Sequence, residues 1–360
     1  MLRCARNDVP VCGKTNLIWS KYPNLNLFCV EKVLQLCAGF ERTLLLLLFM
    51  KKQLFQAYIA LATVSIFWGT TYLAMRVGVQ YANGFAMAGL RQAAAGLLLA
   101  GFFMARGHKL PDRHTLLKLF MIGLLMFMGS NGLMSIAVKH IPSGLAAIIG
   151  ATVPIWMSLM GIFFLKEKKL SMMLFVGLLV GFAGIAGIFY DYLGDLLNPQ
   201  FRFGMMLAFI ACISWSFGSI YMIKSHLKVH VLLGAGLQMF FAGMAILLVS
   251  SIAGVQPVWD ELPHEFWTAL IYLVVVGSII CYSAYAFALK KLPPSLVSVY
   301  AYINPLVAVT LGWIVLHEHF DLVTAVSCSV TLAGVYIVNQ SVKKSIASSA
   351  ESFDENLEKP

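Results

Sequence analysis

The residues with most to offer stand inside apolar runs. Between Lys290 and Glu318 the chain reads KKLPPSLVSVYAYINPLVAVTLGWIVLHE, with Tyr300, Tyr302, Asn304 and Pro305 in mid-run. Between Lys139 and Glu167 it reads KHIPSGLAAIIGATVPIWMSLMGIFFLKE, with Thr152, Pro154 and Trp156 at comparable depth. Trp68, Tyr72, Asn131, Trp215, Tyr221 and Tyr285 lie in other such runs. These side chains bind rather than react. Indole and phenol rings offer an apolar face with one polar tip. An amide in hydrocarbon needs partners, since leaving it unpaired costs roughly 4–8 kcal/mol. A helix-interior proline frees the carbonyl four residues back and bends the helix; for Pro154 and Pro305 these are the carbonyls of Gly150 and Ala301. Irregular backbone at such depth is tolerated only within protein or beside a water-filled cavity. The set therefore points to a recess for a small organic solute. Plainer uses stay open: kinks for the prolines, ring packing for the aromatics, interhelical bonds for Asn131 and Asn304.

Reactive groups are missing by contrast. No carboxylate lies well inside an apolar run, which weakens a proton relay through a buried acid. His317-Glu318-His319 lacks the HExxH spacing of a zinc site. Cys212, Cys281 and Cys328 fall in apolar runs, where free Cys behaves as a small hydrophobe, and no cysteine spacing suggests a disulfide framework or a metal site. No cofactor or metal is expected. Arg91 is the one cation clearly within a run; it snorkels to the outer surface or, alternatively, attracts an anionic group of the solute.

The elements that position these residues follow from composition. The chain has 360 residues, 60% hydrophobic and only 12% charged, against about 25% charged in water-soluble domains. Its apolar residues come in runs of about 20, the length that crosses a hydrocarbon core. An all-α integral membrane protein is expected, with ten transmembrane helices near 54–76, 84–105, 115–138, 142–165, 170–190, 203–223, 231–253, 265–289, 293–316 and 321–339. The net charge of +10 is spread through short loops, so it orients the chain rather than binding nucleic acid. With the N-terminus in the cytoplasm, inner segments carry most of the Lys and Arg, while outer loops hold only Arg76, Lys139 and Arg202. That is the positive-inside pattern, and it places both termini in the cytoplasm. Residues 1–49 lack periodicity, and Met50-Lys51-Lys52 reads as a fresh start, so this stretch is expected to be a non-native upstream extension or a disordered arm. Residues 341–360 are polar and expected to form a disordered cytoplasmic tail.

The runs repeat. Lys139/Lys290, Pro142/Pro293, Pro154/Pro305, Gly161/Gly312 and Glu167/Glu318 pair at a constant offset of 151. Ser65/Ser214, Gly69/Gly218 and Tyr72/Tyr221 pair at 149, Gly89/Gly236 and Gly96/Gly243 at 147, and Gly184/Gly334 at 150. A sustained shift of this kind signals duplication. Each half holds five helices, an odd number, so the second enters the membrane inverted, a common plan of secondary transporters. The repeats are expected over 54–190 and 203–339. The glycines suit close helix approach.

The halves resemble two EamA domains of the drug/metabolite transporter superfamily. The resemblance rests on Phe67-Trp68-Gly69-Thr70-Thr71-Tyr72, Pro154-Ile155-Trp156, Leu165-Lys166-Glu167, Asn304-Pro305 and Gly312-Trp313 through Glu318, over about residues 55–340. His317 departs from it, because the family usually has Gly before that acid. The resemblance implies a carrier of amino acids, nucleotide-type metabolites or drugs, often an exporter, with helices one, three, four, six, eight and nine around a central cavity. The expected partners are a small-molecule substrate and the lipid bilayer of the cell membrane. Trp68, Tyr72, Asn131, Thr152, Pro154, Trp156, Trp215, Tyr221, Tyr285, Tyr300, Tyr302, Asn304 and Pro305 are the expected substrate-binding residues, with Trp215 and Tyr221 read as counterparts of Trp68 and Tyr72. The rival readings are a membrane enzyme acting on lipid or prenyl substrates, and a passive pore or sensor.

Overall fold

The structure is a computed structural model that describes residues 52–71, 73–75, 77–165, 171–255, 262–316 and 320–357. The expectations for residues 1–49, Tyr72 and His317-Glu318-His319 fall outside these. The chain divides into Met1–Gln53 and a compact unit, Leu54–Pro360, which contains everything described below apart from the first two residues of the first helix.

Ten helices follow one another with no strand among the described residues. They are α1 Lys52–Met75, α2 Gly84–Ala105, α3 Arg113–Ala137, α4 Gly144–Leu165, α5 Met172–Ile188, α6 Arg202–Lys224, α7 Val231–Ile252, α8 His264–Lys291, α9 Pro294–Ile314 and α10 Leu322–Leu357. Nine are long and apolar enough to cross a membrane among the described residues; the tenth, α5, qualifies together with Tyr190–Leu197, into which it bends by 87°. Large apolar side chains such as Leu97, Phe163, Leu248, Ile252 and Leu322 stay exposed, as a lipid-facing surface requires.

Local chemistry sets the ends. Asn83 caps α2 through Phe85 N at 2.9 Å. Asp112 caps α3 through His114 N and Thr115 N at 3.0 and 3.1 Å. The Thr115 hydroxyl donates to the same carboxylate and, with these backbone bonds, holds it below the usual carboxylate range. Gly107 and Gly254 follow α2 and α7 at φ 88° and 66°, a left-handed conformation that glycine adopts without steric penalty. They stand 147 residues apart, the offset that relates α2 to α7.

Two seams of small residues hold the bundle. In the α2–α7 seam a Cβ on Gly96 would fall on the backbone nitrogen of Phe240, and one on Gly243 on that of Ala93. In the α5–α10 seam a Cβ on Gly334 would fall on the backbone nitrogen of Gly181, and one on Gly184 on Thr331. Helices paired by the sequence offsets therefore pack directly on each other, backbone against backbone.

Two departures concern irregular backbone. Leu124–Gly132 of α3 and Leu273–Ile280 of α8 are wound as wide π turns, starting 149 residues apart, and nothing in the sequence announces them. The twin helices break at non-equivalent places: α4 at Ala151–Thr152, directly before Pro154, and α9 at Ser298–Val299, with Pro305 inside the helix that resumes at Tyr300. The expected bend centred on each proline is thus displaced. Pro154 is the second residue of a restarted helix, a position whose N–H has no intrahelical partner to lose. The tail also differs from expectation: α10 continues to Leu357, because Lys, Ala, Ser and Glu there favour or tolerate helix.

Candidate functional site

The π turns of α8 sit where helices from both halves meet. Trp68 of α1 donates Nε1–H to the Gly277 carbonyl at 2.8 Å. One residue on, Ser278 Oγ accepts from Arg91 Nε of α2 at 2.8 Å. A Cβ on Gly277 would lie 2.9 Å from Thr71 Cγ2 and 3.0 Å from Arg91 Nη2, so glycine is what lets the indole and the guanidinium share this segment. Nearer its start, Tyr272 shares a hydroxyl bond with Thr70 of α1. The π segment of α3 is held in a similar way: Ser214 of α6 donates to the Leu125 carbonyl at 2.8 Å.

Around Trp68 lies a ring cluster built from four helices. Its centroid is 5.6 Å from Trp215 (α6), 5.4 Å from Tyr285 (α8) and 4.9 Å from Tyr300 (α9). Trp215 and Tyr285 are 5.3 Å apart, and Phe127 of the α3 π segment lies 4.7 Å from Tyr282. These separations fit edge-to-face or tilted ring contacts. The Tyr285 hydroxyl bonds Ser219 Oγ at 2.6 Å, and Tyr282 donates to Gln238 Oε1 of α7. Trp215 is buried, and its Nε1–H makes no hydrogen bond of good geometry, the Tyr285 hydroxyl being its nearby acceptor. That donor, among apolar rings, is the feature that most calls for a ligand acceptor.

Cavities lie toward one end. One of about 500 Å³ is lined by Ala60, His230, Ser283, Phe287 and Lys290 among others. A second, of about 410 Å³, runs from His226 and Lys290 up to Gln238. Neither is lined by the ring cluster, but Gln238 joins the second to it through Tyr282. This is the end expected from the loop charges to face the cytoplasm.

Of the expected residues, Trp68, Trp215, Tyr285 and Tyr300 come together. Thr152 and Trp156 bond one another, Nε1 to Oγ1 at 3.1 Å, beside the α4 break and Pro154. Asn131 closes the α3 π segment, half-buried. Asn304, with its amide nitrogen turned to the carbonyls, donates to Ser65 O at 2.9 Å and Tyr300 O at 3.1 Å; it ties α9 to α1. Buried Pro305 follows it. Tyr302 points elsewhere, donating to the Leu178 carbonyl of α5 at 2.9 Å. Tyr221 is half-buried and stacks on Phe217 at 6.5 Å. At the 149-residue offset Phe217, not Trp215, matches Trp68, so the two tryptophans are not register counterparts.

Arg91 does not snorkel. It is 8% exposed and turned to Ser278, where Gly277 of α8 leaves it room inside. Tyr282, Ser278 and Gln238 belong to the site region without having been singled out as binding residues; the spacing Ser278, Tyr282, Tyr285 (i, i+4, i+7) is a one-face helical signal that could have found the first two. No group of His, Cys, Asp and Glu able to hold a metal occurs among the described residues.

A profile described as the EamA-like transporter family matches residues 55–190 and again 202–340. The chain is 40% identical over 265 residues to the uncharacterized inner membrane transporter YedA of Escherichia coli (strain K12), covering 72% of this chain and 83% of that protein. It is 27% identical over 288 residues to the uncharacterized transporter YvbV of Bacillus subtilis (strain 168), covering 79% and 91%. One solved crystal structure superposes with a TM-score of 0.68 at 19% identity, over 80% of this chain and 98% of that one; at that identity the likeness is one of fold.

Proposed function

This chain belongs to the EamA-like transporter family, a multi-pass membrane protein that acts on a small molecule, and on that premise we propose that it is a secondary carrier working by alternating access. The two five-helix repeats would be inverted relative to one another, with the solute site at the ring cluster between them. The observation that carries this reading is the convergence of Trp68, Trp215, Tyr285 and Tyr300 from both halves in one buried ring cluster.

The bonding pattern suggests how access changes. Toward the end without these two cavities, α1 is latched to α8 by Trp68 on Gly277 and Thr70 on Tyr272. At the other end, cavities open beside α7 and α8. Releasing the latch while closing the cavities would expose the ring cluster to the opposite side. Each latch bond is a single side-chain contact, so the cost of release is small, on the order of 1 kcal/mol per bond.

The solute is a small organic molecule with an apolar portion, an amino acid in the first instance, moved outward across the cell membrane with both termini in the cytoplasm. Purified protein in liposomes loaded with unlabelled amino acid is expected to show saturable counterflow of labelled amino acid, and Trp68→Ala to reduce it strongly. Flux that rises linearly with concentration and shows no counterflow would mark a pore instead.

A further inference from the structure

We propose that Arg91 receives the carboxylate of the solute, which makes this carrier selective for organic acids with an apolar body, amino acids included; the inference rests on the carrier reading above. Arg91 is 8% exposed, and of its five N–H donors Nε is the one seen bonded to a described residue, Ser278 Oγ. The groups seen to interact with it are the Ser278 hydroxyl and the Cys281 thiol, neither of them a carboxylate. A buried guanidinium without a counter-charge is costly, and the cost is offset only when an anion with good hydrogen-bonding geometry arrives. A carboxylate supplies two acceptor oxygens that match the guanidinium fork.

Position supports the same conclusion. The α2–α7 seam fixes the helix that bears Arg91, and Gly277 leaves room for its Nη2. Trp68 is bonded to that same Gly277, so the charge and the ring cluster meet on adjacent residues of one π segment. An apolar body among the rings and a carboxylate on Arg91 would occupy neighbouring ground.

The other half provides an internal control. At the register position of Arg91, offset by 147, α7 carries Gln238. Gln238 also docks on α8, one turn along from Ser278, through Tyr282. Its amide is employed on both sides, with Nε2 3.7 Å from the Met222 sulfur. The fold therefore accepts a neutral amide at this place, and packing alone does not demand a cation. The charge on α2 is left for a ligand.

The test uses three probes of one shape: L-leucine, isocaproate (the carboxylate without the amine) and leucinamide (the amine without the carboxylate). Melting in detergent reads binding, and counterflow in proteoliposomes reads transport. Wild type is expected to be stabilised by isocaproate, L-leucine or both, and not by leucinamide; the first two also separate simple acids from amino acids. Arg91→Gln copies the α7 residue and is expected to weaken the carboxylate response about tenfold or more, with Arg91→Lys in between. If Arg91→Gln is poorly folded, Ser278→Ala is expected to weaken the same response without abolishing it. Equal apparent affinity for the carboxylates in wild type and Arg91→Gln overturns the proposal, as does wild type preferring leucinamide or ignoring all three probes. Carboxylate binding that depends on Arg91 but comes without counterflow would leave this inference standing and sink the carrier reading.

Discussion

The α2–α7 seam and the centre around α8 solve the same problem, packing helices without water, in opposite ways. In the seam, glycines bring backbone onto backbone: Gly96 onto Phe240, Gly236 onto Ala100, Gly243 onto Ala93. In the centre, the helices are joined by side chains that reach carbonyls and hydroxyls of π-wound segments, Trp68 to Gly277, Arg91 to Ser278 and Ser214 to Leu125. Small-residue contact and interhelical hydrogen bonding are the two general means of helix association in lipid. They differ in what they permit. A backbone seam cannot slide without collision, whereas individual side-chain bonds can open one at a time. The seams at α2–α7 and α5–α10 are therefore scaffold, and the centre is where conformational change is cheap.

The largest expected effect comes from breaking the seam. Gly96→Leu puts a side chain where the Phe240 backbone stands, and overpacking by displaced backbone should exceed the ~1–3 kcal/mol of ordinary core overpacking. Loss of monodisperse protein in detergent is the expected result. Gly101→Leu, on the same helix with nothing within 4 Å of an added Cβ, should leave the melting temperature unchanged. If the two variants behaved alike, the seam would not be the rigid member of the comparison.

Trp68→Phe probes the centre. It keeps a ring against Trp215 and Tyr300 but removes the donor to Gly277. Stability is expected to fall by about 0.6–1.7 kcal/mol, the range for interhelical bonds in a membrane protein, while counterflow falls far more. A stability loss without a flux loss would make the α1–α8 latch mere packing. Asn304→Ala should follow, at about 1 kcal/mol, since it unties α9 from α1. Thr152→Val on the twin helix should cost less than Asn304→Ala, because the Thr152 hydroxyl donates to Ile149 O and accepts from Trp156 within α4, and across to α6 it meets only the weakly bonding Cys212 thiol. Melting curves of the two variants side by side would show whether the twins have diverged as their breaks suggest.

Much of this arrangement was legible in the sequence, for physical reasons. Spans announce themselves because hydrocarbon requires long apolar runs, and ten were expected where ten helices stand. Trp68, Trp215, Tyr285 and Tyr300 stood out as polar-tipped rings in apolar surroundings. Facing direction was less well read. Tyr300 and Tyr302 are two residues apart and so cannot share a helical face; the first joins the rings and the second bonds α5. Asn304 chose a helix partner, which composition alone leaves open. The π turns carry no sequence signal, yet they decide which α8 carbonyl meets Trp68. Arg91 was misread because snorkelling is the usual course for a cation near a span end, and the room that Gly277 leaves is a tertiary fact.

The smallest expected effect concerns the end of the rigid seam, and it has a sign. His230 precedes α7 and packs 4.6 Å from Phe103 of α2 and 4.8 Å from His108, just past the end of α2. Burial, and then the neighbouring His108 and Lys290, hold His230 below the ordinary histidine value of 6.5. The unfolded chain therefore takes up this proton first as pH falls. The stability contributed by the neutral ring is present above about pH 6.5 and is lost as pH drops through the lower folded value. The melting temperature in detergent should decline between about pH 7.5 and 5.5, and the decline should be shallower in His230→Gln. Because His230 is mostly exposed, solvent screening keeps the shift below that of any variant above. The centre has no carboxylate or histidine among its described residues, so the ratio of Trp68→Phe flux to wild-type flux should stay constant over the same interval. If that ratio changed with pH while His230→Gln left the melting curve untouched, the acid-sensitive region would be the centre and not the end of the seam.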